Sequence, residues 1–258
     1  SEIKLPYPSL VEQERIGIFL TLIDERIQLS SKLIDQLETL MTEVSEKLFS
    51  KNLQFKSPDG SNFSEWKIYK LGDIGQTYNG LTNKTKDDFG MGKPYIQYKQ
   101  IFDQSKINIS GCELVKIIST EKQNRVKKGD VFFTVSSETP EEIGMASVLL
   151  DDVEEMYLNS FCFGYRPNST EVINPYFARY LFRNKIFRNK IIRLAQGSTR
   201  YNMSKIELMK IEVPLPCLEE QTKIANFLSS LDAKIETEKQ ILEQHKQQKT
   251  YLLQNLFI

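Results

Sequence analysis

Residues 3–49 read IKLPYPSLVEQERIGIFLTLIDERIQLSSKLIDQLETLMTEVSEKLF, and residues 211–257 read IEVPLPCLEEQTKIANFLSSLDAKIETEKQILEQHKQQKTYLLQNLF. The two stretches align without a gap at an offset of 208, with about 15 identities. These include both prolines of each Pro-x-Pro, the Glu-Gln pair, the Phe-Leu pair, the Asp and the terminal Leu-Phe. Copies this far apart, with unlike sequence between them, are not a solenoid of short units. One structural element is used twice, around a different central domain.

The first copy places Leu20, Ile23, Ile27, Ser30, Ile34, Leu37, Met41, Val44 and Leu48 at alternating steps of three and four, which is the seam of a coiled coil. The second keeps the frame at Leu228, Leu231, Ile235, Glu238, Leu242, His245, Lys249, Leu252 and Leu256, with three polar interruptions. Pro6-x-Pro8 precedes Ser9-Leu10-Val11-Glu12, a Ser-x-x-Glu capping box that satisfies amides of a first helical turn. Cys217 replaces that serine in the second copy, so its start is expected to be less firmly fixed. From cap to Leu-Phe is about 40 residues, a rod on the order of 60 Å.

The first helix enters the central domain by its C-terminal end and the second leaves it by its N-terminal end, so a paired arrangement is antiparallel. Two like helices packed this way are related by an approximate two-fold axis. That axis makes residues 3–8 the counterpart of residues 211–216, the exit strand of the central domain. The expectation is half of a two-domain architecture. His245 on the seam reads as a packing or register residue. Gly17 and Ala225, equivalent in the repeat, suggest either a close helix approach or a merely tolerated small residue.

The net charge is zero, but it is unevenly distributed. Residues 54–210 carry 23 Lys and Arg against 18 Asp and Glu, while the flanking copies are acidic. Val172–Ile206 has no acidic residue yet holds Arg179, Arg183, Lys185, Arg188, Lys190, Arg193, Arg200 and Lys205, a local cationic field. No apolar run approaches a membrane span and no leader pattern opens the sequence, so cytoplasm is the expected compartment. Cys112, Cys162 and Cys217 are widely separated and read as free thiols, with neither a disulfide framework nor a zinc site indicated.

Between Phe55 and Lys210 short apolar runs alternate with turn residues. Trp66–Ile74 reads as a strand and a tight turn, Tyr95–Tyr98 alternates like a strand, and Asp130–Val135 reads as a buried strand. Met145–Leu150 and Tyr157–Tyr165 continue the series, and Asn174–Leu194 has helical spacing with basic residues around an apolar face. The fold class expected is α+β: one mixed, β-rich domain flanked by two long helices that form an antiparallel coiled coil. Its boundaries are 1–53 for the first helical region, 54–210 for the central domain and 211–258 for the second helical region.

No phosphate-binding glycine loop or histidine metal cluster occurs, and Asp87-Asp88, Glu141-Glu142, Asp151-Asp152 and Glu154-Glu155 read as solvated turns, which favours binding over catalysis. Gln196–Ser204 is the most suggestive loop. Its hydroxyls, Arg200, Tyr201 and Asn202 can bond phosphates or base edges. Tyr95, Gln97, Tyr98 and Lys99, and Ser136 and Ser137 after the buried strand, are similar donor and acceptor sets. With Lys84 and Thr199 they complete the candidate DNA-contact set; each is equally compatible with an ordinary surface turn.

Taken together the chain resembles the specificity subunits of type I restriction-modification systems. The residues that carry the resemblance are Pro214–Gln221 through Phe227–Asp232, their partner copy Pro6–Asp24, Gly197–Arg200, and Lys128-Gly129-Asp130 ahead of a hydrophobic strand. In that family two target-recognition domains alternate with two helical regions, which pair and set the spacing of two DNA half-sites. The resemblance implies a noncatalytic chain that binds double-stranded DNA and no cofactor of its own. Methylation subunits would dock on the helices and carry S-adenosylmethionine, and a motor-nuclease subunit would complete the complex. The sequence departs from the full pattern in having one recognition domain, so the resemblance implies half of a bipartite readout, either in a homodimer through the helices or in a monomer with an intact intramolecular coiled coil. The competing expectation is a coiled-coil interaction scaffold without sequence-specific DNA binding.

Overall fold

The computed structural model describes residues 8–197 and 200–255. The described chain starts with α1 (Leu10–Phe49). The central segment follows as β1 (Lys67–Lys70), α2 (Leu71–Ile74), β2 (Gly75–Asn79), β3 (Phe89–Ile96), α3 (Tyr98–Asp103) and β4 (Glu113–Val115). It continues through β5 (Val131–Thr134), β6 (Ser136–Ser137), β7 (Ala146–Val148), β8 (Tyr157–Leu158) and β9 (Cys162–Pro167). The last elements are α4 (Pro175–Leu181), α5 (Lys185–Ile192), β10 (Tyr201–Asn202), α6 (Lys205–Met209), β11 (Glu212–Leu215) and α7 (Leu218–Asn255). Two compact units result: the long helices up to Val44 and from Phe227 onward, and Ser45–Asn226.

In the helical unit the expected seam is the buried one. Ile23, Ile34, Leu228 and Ile235 are buried, and the other described seam positions, the polar Ser30, Glu238, His245 and Lys249 included, are at least partly covered. Leu256 lies outside the described residues. Ion pairs fix the direction: Lys239 meets Glu38 at 2.6 Å and Lys249 meets Asp24 at 2.5 Å, so higher numbers on one helix face lower numbers on the other and the pair is antiparallel. A Cβ on Gly17 would find open space, so no close helix approach occurs there. A second apolar row runs along α1, away from the seam. Val11, Ile18, Leu22, Leu29, Leu33 and Leu40, at steps of seven and four, are each 40–66 % exposed.

The two helix starts are built differently. Ser9 Oγ accepts from the Glu12 amide at 3.3 Å, the amide half of the capping box. Cys217 is exposed, but its copy is anchored by side chains instead. Gln221 Nε2 donates to Pro216 O and Val172 O, its Oε1 accepts from the Asn174 amide, and Glu220 accepts from Trp66 Nε1 at 3.0 Å. The first copy keeps only the internal bond, Gln13 Nε2 to Pro8 O, and its Glu12 and Gln13 are exposed. Residues 3–7, the counterpart of β11, fall outside the described residues.

The central core is a four-stranded antiparallel sheet in the order β2-β9-β5-β7. A second sheet, β4-β3-β8, is mixed, because β3 runs antiparallel to β4 and parallel to β8. β1 pairs with β11 and closes the chain's exit onto its entry. Strand β5, expected from its apolar run, is fully buried: Phe133 packs with the rings of Phe163, Phe182 and Phe187, with Tyr165 against Phe182, while Phe132 joins Ile96, Ile101, Leu149 and Leu158. Gly164 on β9 is required by packing: a Cβ there would lie 2.1 Å from the Tyr78 ring.

Three expectations change. The strand expected over Tyr95–Tyr98 ends at Ile96; Gln97 is still extended, and Tyr98 already opens α3. Trp66–Ile74 ends in a helical turn, α2, rather than a tight turn. Asn174–Leu194 is two helices, not one. Asn174 and Asn184 each cap a start, accepting from the Tyr176 and Phe187 amides, and the break between them turns the chain.

Candidate nucleic-acid interface

The segment from Gln196 to Asn202 is a closed loop. Gln196 and Asn202 exchange backbone hydrogen bonds at 3.1 and 2.8 Å, and Gly197, at φ +128, leaves the space a Cβ would take from Arg200 O. Its returning arm, β10, pairs antiparallel with β6, placing Tyr201 opposite Ser137 and Asn202 opposite Ser136. Tyr98 joins from α3, its hydroxyl donating to Ser136 O at 2.7 Å. Five residues of the candidate set, from three distant parts of the sequence, therefore share one edge, with Arg200 exposed at the loop tip. Thr199 lies outside the described residues.

The remaining candidates are placed differently. Lys99 is exposed beside Tyr98, and Gln97 donates to Gly111 O at 3.3 Å. Tyr95 is buried; burial, then its bond to Glu113, pushes its hydroxyl up to about 12. Lys84 has a side chain only 4 % exposed, paired with Glu121 at 2.6 Å and donating to Lys116 O. Ser137 Oγ donates to Glu142 Oε2 and accepts from the Thr139 amide, so its hydroxyl is held in a turn.

The cationic run also resolves into separate roles. Arg188 is buried and donates to the carbonyls of Glu141, Ile143 and Gly144. Arg183 donates to those of Ala146, Ile101, Phe102 and Gln104. Burial lowers both guanidinium pKa values to about 10, so both stay charged at neutral pH. Lys185 pairs with Glu46, and Lys190 donates to Glu212 O. The local cationic field is therefore only partly presented to solvent: Arg183, between α4 and α5, and Arg188 on α5 turn inward. Arg193 and Arg200 remain exposed. The paired acids sit in turns, where Asp152 meets Lys128 and Glu155 meets Lys93.

Sequence reasoning overlooked a cavity of about 270 Å³ lined by Asn79, Thr82, Ser160, Cys162, Met203 and Lys205 among others. Lys205 and Asn79 bond across it, and the adjoining Phe161 is 60 % exposed. Asn79-Gly80 was its available signal, since Gly80 approaches the Asn159 carbonyl too closely for a Cβ. Among the described residues no helix is long and apolar enough to cross a membrane.

The family profile described as type I restriction modification DNA specificity domain matches residues 63–247. The chain is 25% identical over 269 residues to the type I restriction enzyme MjaVIII specificity subunit of Methanocaldococcus jannaschii, covering 97% of this chain and 60% of that protein. It is 29% identical over 213 residues to the MjaIX specificity subunit of the same organism, covering 80% and 47%. The crystal structure of the HsdS subunit from Thermoanaerobacter tengcongensis shares the fold with a TM-score of 0.60 at 19% identity, covering 98% of this chain and 60% of that one. The chain thus spans about half to three fifths of the length of these relatives.

Proposed function

Because the chain belongs to the type I restriction modification DNA specificity domain family, we propose that it is a noncatalytic DNA-reading subunit of a type I restriction-modification complex. Its central domain reads one half-site of a bipartite target, and its paired helices dock the methylation subunits. The observation that carries the reading is the β6–β10 pairing, which collects Tyr98, Ser136, Ser137, Tyr201 and Asn202 on one edge beside Arg200. The Tyr201 hydroxyl, Asn202 amide and Arg200 guanidinium are donors and acceptors suited to base edges and phosphates, with the buried Ser136 and Ser137 backing them. Gln97, Lys99 and Thr199 belong to the same proposed set; Lys84, Tyr95 and the Ser137 hydroxyl are held internally and would support it rather than contact DNA.

The exposed apolar row on α1 supports helix docking. From Val11 to Leu40 it extends about 44 Å, and an uncovered row of this length is suited to a helical partner. S-adenosylmethionine and the adenine chemistry belong to the methylation subunits, and a motor-nuclease subunit completes the cytoplasmic assembly. A second recognition domain, from another part of a longer chain or from a second copy in a homodimer, would supply the other half-site.

The same row also favours a second reading, a coiled-coil scaffold whose central surface binds no particular sequence. Selection from random duplexes by the chain with its methylation subunits separates the two. A short enriched half-site supports specificity. Retention without enrichment, alongside helix-dependent capture of the subunits, supports the scaffold.

A further inference from the structure

Arg188 is a buried cation with three carbonyl partners and, among the described residues, no bonded carboxylate. Those carbonyls line residues 141–144, the turn that leaves β6. Ser137 at the start of that turn is bonded to Glu142 inside it, and Gly144 at its end packs under Met203, the residue after β10. Arg183, in the link between α4 and α5, makes the matching contact with α3: its Nη2 collects the carbonyls of Ile101, Phe102 and Gln104, groups a helix C-terminus leaves without partners. At the opposite end of α3 stands Tyr98, bonded to Ser136 O. Two guanidiniums, one in the link between α4 and α5 and one on α5, thus grip both segments that carry the proposed contact edge. A planar fork holding several carbonyls at once is specific to arginine; a lysine ammonium reaches such a set only in part.

The geometry points to Arg188, with Arg183 as its companion, as a positioning residue for base readout that touches no DNA and acts through the 141–144 turn on Ser136, Ser137, Tyr201 and Asn202. This rests on the DNA-reading assignment above. A loosened edge loses base discrimination, because hydrogen-bond readout requires fixed donors, while exposed Arg193 and Arg200 keep their phosphate attraction.

The test is selection from random duplexes by the full chain with its methylation subunits, comparing the unaltered protein with Arg188→Lys and Arg188→Gln. Ile224→Val, a change at a buried position on α7, serves as a destabilised control. The expected result for Arg188→Lys is discrimination reduced about 10-fold at one or more base pairs, with the salt dependence of binding unchanged and faster amide exchange confined to residues 136–144 and 201–203. Arg188→Gln should go further; if it does not fold, Arg188→Lys carries the test. An unaltered motif from Arg188→Lys overturns the proposal, as does equal loss of discrimination in Ile224→Val. Absence of any motif with the unaltered chain overturns the DNA-reading assignment itself, and the proposal with it.

Discussion

Replacing Asp130 with alanine should be among the most damaging single changes in the central domain. The carboxylate is 1 % exposed and accepts four hydrogen bonds: Arg166 Nε and Nη2 at 2.7 Å each, the Tyr78 hydroxyl at 2.5 Å and the Lys127 amide at 2.8 Å. These tie β2, the entry to β5, and β9 across the main sheet. Burial and the Asp130 charge together push the Tyr78 hydroxyl pKa upward, so it remains a donor. Removing one partner of a buried pair typically costs about 3–5 kcal/mol. Arg166 retains 28 % exposure and keeps its bond to Arg125 O, which relieves part of its loss and sets the expectation near the lower end, about 3 kcal/mol. Against a domain stability of about 5–15 kcal/mol that is a large fraction. Urea unfolding followed by fluorescence of Trp66, the single tryptophan, reports on this unit. Asp130→Asn, which keeps an acceptor, should fall between, and Arg166→Met added to Asp130→Ala should cost less than it does alone. A cost below about 1 kcal/mol for Asp130→Ala, or strictly additive losses, would refute the reasoning.

Three further outcomes are expected. Arg200→Ala should lower the slope of log K against log salt by about 0.9 without moving thermal unfolding, as checked by fluorescence anisotropy and a melt; an unchanged slope removes the loop tip from the phosphate contacts. Burial raises the Glu220 pKa, so its stabilising contribution is complete below about 4.3, the unfolded value, and declines as pH rises through the folded value. Glu220→Gln keeps an acceptor for Trp66, so its urea midpoint should vary less between pH 4 and 7 than that of the unaltered chain; parallel profiles would contradict this. In thiol titration Cys217 should react at once and Cys162, whose thiol pKa burial pushes upward, only on unfolding; rapid reaction of Cys162 in the native chain would show that its site opens.

The helices were legible because a seam is written locally: Leu20 to Leu48 declare it by spacing alone, and every one of those positions is covered. The proposed contact edge was legible only in pieces. Ser136, Tyr201 and Tyr98 meet through a strand pairing and one hydroxyl bond between distant segments, for which residue types carry no signal. Arg183 and Arg188 misled for a related reason. A basic run states how much charge is present, not whether it faces solvent, and here α5 and the link before it direct two arginines at carbonyls left open by turns and a helix end. Tyr95–Tyr98 failed at a boundary, since two alternating residues fit a strand end and a helix start equally well.

The joint at Gln221 also bears on how such a domain can be exchanged. Its bond to Pro216 is made within the helical copy, and Gln13 repeats it with Pro8, whereas its bonds to Asn174 and Val172, and that of Glu220 to Trp66, reach across to the domain. The socket is therefore prefabricated by the repeat, and the plug is a few main-chain groups and one indole. Under the proposed function, a domain grafted in place of this one that reproduces the plug would leave the ruler in calibration while the text it reads is changed.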